Sequence, residues 1–242
     1  METDPFQAHR ANKLLAALSP QDARLLAPHI ELVDCEHRTI LMDAGERIAR
    51  VYFPHSAVIC LVAVMRESGI AETATIGPEG LVGLEVLLGA ERATSRTLVQ
   101  VPGVASVIPA RALRRAMDDS PTLRALLLRY VGAFLVQVTQ SVACNSLHKV
   151  EERCCRWLLM AHDRVGRDSF PLTQEFMADL LGVHRPTVTI VARTLQAAGL
   201  IRYSRGVITI VDRRGLEQSA CECYEIVRQA FEDILSFQVA PA

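Results

Sequence analysis

The stretch that decides the fold is residues 173–195, which read TQEFMADLLGVHRPTVTIVARTL. Thr173 is a good helix N-cap, and apolar side chains recur at helical spacing directly after it. Gly182 then supplies the left-handed backbone conformation that a tight turn after a helix requires. Pro186 stands in the first turn of the next apolar-periodic segment, where a missing amide hydrogen is tolerated. These signals predict two short helices joined by a tight turn.

The spacing of small and branched residues predicts that these two helices cross closely. Ala178 leaves room for a second helix, Gly182 follows four residues later, and Val188 lies six residues beyond the glycine. This combination is typical of a helix-turn-helix, and a plain helical hairpin in a protein core is the alternative. The side chains expected to face inward are Phe176, Met177, Leu180, Leu181, Val183, Val188, Val191 and Leu195.

The next segment predicts a β-hairpin with a positively charged tip. Residues 200–203 and 207–211 are apolar runs, and Ser204-Arg205-Gly206 separates them. Between Gly182 and Gly215 the chain carries six arginines and one acidic residue, although the whole chain has a formal net charge of -1. A basic segment inside a neutral protein is typical of a surface that binds nucleic acid.

A helix-turn-helix followed by a basic hairpin predicts a double-stranded DNA partner. The second helix would enter the major groove, with its first outward residues facing the bases. Arg185 is the best candidate for a bidentate contact with a guanine edge, and the threonine hydroxyls suit phosphates. The predicted DNA-binding residues are His184, Arg185, Thr187, Thr189 and Arg193 on the helix, and Arg202 and Arg205 on the hairpin.

The N-terminal half has a different pattern of apolar and turn-forming residues. From Val33 to Pro109, short apolar runs alternate with turn-forming segments rich in Gly, Pro, Asp and Glu, as in Asp43-Ala-Gly-Glu and Gly77-Pro-Glu-Gly. Many short strands at this spacing predict an antiparallel sandwich or barrel of about eight strands. With helices before and after it, the chain is expected to belong to the α+β class.

A long helix is expected to connect the two parts. Ser120-Pro121 is a helix start, with Ser120 as N-cap, and no break occurs before about Lys149. Within it, four apolar residues follow a 4-3-4 spacing, which predicts that the helix pairs with a twin helix in a homodimer. Packing of one face on the strand-rich part alone is the alternative. The four residues are Leu127, Val131, Phe134 and Val138.

Composition and local patterns exclude several other classes. The N-terminus has no apolar segment typical of a secretory signal, so a cytoplasmic location is expected. The stretch from Tyr130 to His148 holds several polar side chains, which argues against a membrane span and a membrane partner; they include Gln137, Thr139, Gln140, Ser141 and Asn145. Seven scattered cysteines do not suggest a disulfide framework. No catalytic motif is visible, so we expect no enzyme activity and no catalytic residues.

The order of these parts resembles the Crp/Fnr family of transcription regulators. The similarity spans about residues 11–212 and is most specific between Leu172 and Ile201. It implies an N-terminal β-roll of the cyclic-nucleotide-binding jelly-roll type, a dimerisation helix, and a winged helix-turn-helix that binds a two-fold symmetric site. RNA polymerase is a further partner that it implies. The corresponding divisions are residues 11–118, 119–149 and 150–237.

The sequence departs from the family where some members bind a cyclic nucleotide. The Gly-Glu pair that begins their phosphate cassette is split here by Leu84, and the Arg-Thr pair that ends it comes one residue late. A slip of one residue on a strand reverses the face of the side chain. We therefore expect no cyclic-nucleotide binding, with a responsive regulator carrying a degenerate cassette as the alternative. The candidate effector pocket consists of Glu85, Arg96, Thr97 and Thr139.

No other cofactor is predicted. Family members with an iron–sulfur cluster hold it on N-terminal cysteines, and none precedes Cys35 here. His55 is a lone histidine near the β-roll, which is weak support for haem. Cys221 and Cys223 form a pair, but no matching Cys or His pair stands at zinc spacing, so no metal is expected.

The chain continues beyond the expected wing with an acidic segment. Apolar residues from Leu216 to Phe237 keep a 4-3 spacing, which predicts a further helix. We expect this helix to pack against its own DNA-binding part or against the long helix, with a partner contact as the alternative. Its negative charge makes a DNA contact unfavourable.

Overall fold

The computed structural model describes residues 6–65 and 69–235. It has the predicted α+β architecture: an antiparallel β domain, a long helix, and a helical C-terminal part with a small sheet. The last two residues of the predicted C-terminal division, 236 and 237, lie outside the described part of the chain.

The N-terminal β domain consists of two antiparallel sheets that face each other. One sheet has the strand order β1-β7-β3 and the other β2-β6-β4-β5, so both mix strands from the start and end of the domain. The buried side chains Phe53, Ile59, Val99 and Ile108 fill the core. The strands are β1 Glu31–Cys35, β2 Ile40–Met42, β3 Arg50–Pro54, β4 Val58–Met65, β5 Gly69–Ile76, β6 Arg96–Val101 and β7 Gly103–Pro109.

Helices flank this β domain. Helices α1 and α2 precede it, and α3 leads into the long helix α4, which begins as predicted. Ser120 Oγ accepts the Leu123 amide at 3.1 Å, and Pro121 occupies the first turn. The bounds are α1 Lys13–Ala16, α2 Pro20–Leu26, α3 Ala110–Asp119 and α4 Pro121–Leu147.

Helix α4 is apolar around much of its circumference. Among the described residues it is the one helix whose length and composition would also suit a membrane span, and the core helix of a folded protein passes the same test. Tyr130 is buried in the fold and donates to the Leu81 carbonyl at 3.0 Å, while Gln137 is buried and donates to the Thr75 carbonyl. One side of α4 is thus bonded to the β domain.

The C-terminal part contains five helices and a three-stranded sheet. The sheet has the order β8-β10-β9, and all its pairs are antiparallel. The acidic segment after the sheet forms two helices rather than one, and the second packs on α4 through Tyr130 and Phe231. The elements are α5 Val150–Val165, β8 Ser169–Pro171, α6 Gln174–Leu181, α7 Arg185–Ala197, β9 Ile201–Ser204, β10 Val207–Ile210, α8 Arg213–Ser219 and α9 Cys223–Leu235.

Buried polar contacts join α5 to the rest of the molecule. Arg164 Nε donates to Glu79 at 2.7 Å, and its Nη2 donates to Gln137 on α4 at 2.8 Å. The Trp157 indole donates to Glu72 on β5 at 3.1 Å. Because α5 leads directly to α6 and α7, these bonds fix the C-terminal part against the β domain.

Candidate nucleic-acid interface

The two-helix motif has the local geometry that the sequence predicts. Thr173 Oγ1 accepts the Phe176 amide at 3.1 Å and caps α6. Gly182 ends α6 in the left-handed conformation, with a φ of +63°, and Val183 turns back to donate to the Ala178 carbonyl at 3.0 Å. A residue with a Cβ would be strained at this φ, so the glycine allows the tight turn.

The faces of α6 and α7 that meet are apolar. The side chains predicted to face inward are buried, except Val183, which is partly buried against the same core. Ala178 is buried where the helices approach each other. This packing fixes α7 by one face and leaves the opposite face, with its N-terminal end, open to solvent.

The open face of α7 carries most of the predicted helix contacts. His184 and Arg185 are exposed at the N-terminal end, and Arg193 is exposed two turns further along. His184 is the N-cap residue, and its side chain makes no capping bond. Thr187 is half-buried. The first turn of α7 therefore offers an imidazole and a guanidinium to a partner.

Thr189 already has partners inside the motif. Its hydroxyl lies 2.9 Å from Gln174 Oε1 and 3.1 Å from the Arg185 carbonyl. Its hydroxyl therefore links α6 to α7, and a phosphate would compete with these bonds.

The hairpin between β9 and β10 forms a wing beside α7. Arg205 and Gly206 make the two-residue turn, with φ values of +50° and +75°. Positive φ at both positions is typical of a type I′ hairpin turn, in which Asn or Gly is the usual first residue. Arg205 is exposed at the tip, and Arg202 is exposed on β9.

The predicted dimer stripe requires a correction. Leu127, Val131 and Phe134 are buried within the chain, and Val138 is partly buried against the same core. These side chains pack inside a single chain and are not free to contact a twin helix. The 4-3-4 spacing identified an apolar face of α4, but the fold uses that face for its own core.

A second apolar stripe on α4 is exposed instead. Leu128, Leu135 and Val142 are 42%, 58% and 64% exposed and stand seven residues apart. Gly132, Thr139 and Ser146 are exposed between and after them, completing a heptad spacing. Spacing alone does not tell which of two apolar faces of a helix is covered.

The four residues of the candidate effector pocket do not assemble into a phosphate site. Arg96 pairs with Asp43 through Nη2 and Oδ2 at 2.7 Å. Glu85 accepts the amide and hydroxyl of Thr94. Thr97 is buried near the Met42 carbonyl, and Thr139 is exposed on α4.

The strand β6 shows why the shifted arginine matters. Burial along Arg96–Val101 puts Thr97 inside the β domain and leaves Arg96 partly exposed. Its bidentate pair with Asp43 holds the pKa of that carboxyl below its usual range. The one-residue slip thus directs the guanidinium to the turn around Gly45 rather than inward.

Comparisons with known proteins agree with this architecture. Residues 152–219 match the Crp-like helix-turn-helix domain. The transcriptional regulator SdrP of Thermus thermophilus is 25% identical over 177 residues, which cover 71% of this chain and 84% of SdrP.

Solved structures share the fold over most of the chain. A Crp/Fnr-family structure from Eubacterium rectale has a TM-score of 0.68 at 19% identity and covers 87% of this chain and 98% of its own. FixK2 from Bradyrhizobium japonicum has a TM-score of 0.69 at 15% identity, covering 79% and 98%.

The fold and the exposed helix beside a basic wing define a winged helix-turn-helix protein with an N-terminal β-roll. Residues 152–219 form a Crp-like helix-turn-helix domain, and the fold of the chain is the one seen in solved structures of Crp/Fnr-family regulators.

Proposed function

We propose that this protein acts as a homodimer that binds a two-fold symmetric DNA site through α7. The observation that carries the proposal is the exposed N-terminal end of α7, which bears Arg185, on a helix that packs beside the basic wing. An exposed recognition helix of this kind reads the major groove through its first residues. Residues 150–237 would form the DNA-binding part, residues 119–149 the dimerisation helix, and residues 11–118 a sensor-like domain.

The roles of the contact residues follow from their chemistry. Arg185 would read a guanine edge by two parallel hydrogen bonds, and His184 and Arg193 would face neighbouring bases. Arg202 and Arg205 on the wing would contact phosphates, which fix the position of the protein without specifying sequence. Thr187 would contact the DNA backbone near the N-terminus of α7, whose dipole favours anions. Thr189 would do so only by exchanging its bond to Gln174 for one to a phosphate.

Dimerisation through the exposed stripe of α4 would complete the site. Leu128, Leu135 and Val142 stand on one face at heptad spacing, which suits pairing with the same face of a second α4. Burial of these side chains on both helices would remove an apolar surface from water. Two copies of α7 would then be related by a two-fold axis, as a palindromic site requires.

We extend the proposal to the location, the lack of catalysis and the further partners of the protein. A cytoplasmic regulator without a membrane partner and without catalysis fits this assignment, and RNA polymerase would be a further contact. A cyclic-nucleotide-responsive regulator is the second candidate, but the pairing of Arg96 with Asp43 disfavours it because the guanidinium is committed to a carboxylate. Effector-independent binding is the form of the proposal that we put to the test.

The test is selection of random duplex DNA by the purified protein at near-physiological salt, with and without cyclic AMP. We expect a two-fold symmetric motif to be enriched equally in both arms. Arg185→Ala should lose discrimination at one base position of each half-site by about 5- to 150-fold, equivalent to about 1–3 kcal/mol. Arg24→Ala, at an exposed arginine on α2, is the matched control and should select the wild-type motif.

Two outcomes would contradict the proposal. No enriched motif in either arm would overturn effector-independent recognition of DNA. Enrichment only with cyclic AMP would instead favour the second candidate and would mean that Arg96 leaves Asp43 to bind phosphate.

A further inference from the structure

Four metal-binding side chains meet at the junction between the long helix and the C-terminal helices. Cys144 and His148 come from the end of α4, Cys221 lies in the connection between α8 and α9, and Cys223 begins α9. Their sulfur and nitrogen atoms all lie within 4.8 Å of one another. The three cysteines are buried and form a cluster separate from the main apolar core.

The distances within this cluster are those of ligands around one small ion. Cys144 Sγ lies 3.5 Å from Cys221 Sγ, and Cys223 Sγ lies 3.6 Å from His148 Nδ1. In a tetrahedral zinc site with ordinary bond lengths, two sulfurs stand about 3.8 Å apart, and a sulfur and a nitrogen about 3.6 Å apart. These two separations are close to those of a tetrahedral site, and the other ligand atoms lie no more than 4.8 Å apart.

We propose that Cys144, His148, Cys221 and Cys223 bind one zinc ion as a Cys3His site. Three thiols and one imidazole are the donor set that structural zinc prefers, and a closed set of four leaves no position for a substrate. Binding replaces three thiol protons by the ion, so three protons are released to solvent for each zinc bound.

The surroundings of His148 favour this role. Its Nδ1 faces the cysteines, and its Nε2 lies 3.3 Å from a carboxylate oxygen of Glu222. Histidines that bind metal through one ring nitrogen commonly donate the other N–H to a carboxylate, which fixes the tautomer and the ring orientation. Glu222 stands between the two ligand cysteines and is thus a positioning residue of the site.

The local charge also suits the proposed complex. Three thiolates, a neutral imidazole and one divalent ion carry a net charge of about -1. Arg153 and Arg156 on α5 are buried, and the Nε atoms of both lack a hydrogen-bond partner among the described residues.

A plain role as small buried fillers would explain each cysteine alone, but not the convergence of three thiols on an imidazole. The sequence analysis missed the set because its two halves are far apart in the chain. Cys144 and Cys221 are separated by 77 residues, and His148 and Cys223 by 75. The fold supplies the second ligand pair that the Cys221–Cys223 pair lacked.

The position of the site gives it a mechanical consequence. The α4–α5 junction lies at His148 and Lys149, and the α8–α9 junction holds the other two ligands. A metal bridge would fasten the tail behind the DNA-binding motif to the end of the long helix. If the proposed function holds, zinc would restrict the position of α7 relative to the dimer axis.

Metal analysis of the full-length protein tests the site. After incubation with zinc under reducing conditions and removal of unbound metal, we expect one zinc per chain. Cys223→Ser should reduce the bound zinc to near zero, and Glu222→Gln should weaken zinc binding about 10-fold. Cys60→Ser is the matched control, because its thiol donates to the Leu98 carbonyl in the β domain and a serine hydroxyl can make the same bond.

Cobalt substitution in the wild-type protein gives a second readout that needs no variant to fold. Cobalt bound by thiolates in a tetrahedral site should give sulfur-to-metal charge-transfer bands. Absence of these bands, equal zinc content in wild type and Cys223→Ser, or a Cys144–Cys221 disulfide that persists in the presence of zinc would each overturn the proposal. Metal content is measured without DNA. A failure of the zinc proposal can therefore be distinguished from a failure of the proposed DNA-binding function.

Discussion

A single residue at the tip of the wing shows a conflict between stability and function. Arg205 has a φ of +50°, and the described non-glycine residues share this left-handed region only with Arg38. A non-glycine residue in this conformation costs about 1 kcal/mol, and Asn or Gly is the common choice at this turn position. The exposed guanidinium is thus held in the turn at the expense of stability, which is consistent with a binding role.

We predict that Arg205→Asn separates the two properties. The free energy of unfolding should stay equal or rise by up to about 1 kcal/mol, because asparagine tolerates the left-handed conformation better. Affinity for DNA should fall by a similar factor whatever the base sequence. The slope of log affinity against log salt concentration should decrease by about 1, the value for one lost phosphate contact. Thermal unfolding and binding titrations at several salt concentrations measure these effects. Unchanged affinity would exclude Arg205 as a contact.

At the scale of elements, α4 has two apolar faces with different surroundings. It covers one apolar face inside its own chain through Leu127, Val131 and Phe134, and exposes a second through Leu128 and Leu135. Periodicity identified α4 and its start correctly, but the face that it selected for pairing is the one that the fold covers within the chain. The choice depends on the β domain and α9, which pack on α4 from parts of the chain distant in sequence.

We predict that Leu135→Glu breaks the dimer. Leu135 is 58% exposed in the single chain, and a two-fold interface would bury this exposed part twice. The change therefore removes about 2–3 kcal/mol of apolar burial and adds two charges close together. The dimer dissociation constant should rise by at least about 100-fold. Light scattering after size-exclusion chromatography over a concentration series measures it.

The matched control is Leu32→Glu, which introduces the same charge at an exposed leucine on β1. It should leave the dimer intact. A Leu135→Glu protein that dimerises like wild type would contradict the proposed interface.

At the scale of the whole molecule, buried polar bonds connect the β domain to the DNA-binding part. Glu72 on β5 accepts bonds from Trp157 on α5 and from Thr75. Desolvation raises the pKa of Glu72 above the ordinary value of 4.5, although the two hydrogen bonds oppose it. The native state therefore holds this proton more tightly than the unfolded chain does.

The contribution of Glu72 to the free energy of unfolding depends on pH. Because the native pKa of Glu72 is raised, its contribution to stability falls as the pH rises from about 4.5 through the native pKa. Glutamine at position 72 can still accept both bonds. We predict that Glu72→Gln changes the free energy of unfolding more favourably at neutral pH than near pH 4. Urea unfolding at several pH values measures this difference.

Glu36→Gln is the matched control for that series, since Glu36 is exposed in the turn after β1. Its effect should vary little with pH. If the free energies of unfolding of Glu72→Gln and wild type change with pH in parallel, burial of the ionised Glu72 carboxylate does not destabilise the protein as predicted.

The sequence by itself determined the local structure of this protein. The Thr173 cap, the Gly182 turn, the Ser120-Pro121 helix start and the Arg205-Gly206 hairpin all act through bonds between near neighbours in the chain. Such signals do not depend on the rest of the fold. They were sufficient to predict the order of elements and the exposed end of α7.

Tertiary structure alone decided which surfaces are covered and which distant residues meet. The exposed stripe of α4, the pairing of Arg96 with Asp43 and the meeting of Cys144 with Cys221 each depend on contacts across 50 or more residues. The physical reason is that the spacing of apolar residues indicates that a helix has an apolar face, whereas packing with distant parts of the chain determines what covers that face. Where two apolar faces compete, only the complete fold assigns one to the core and leaves the other free.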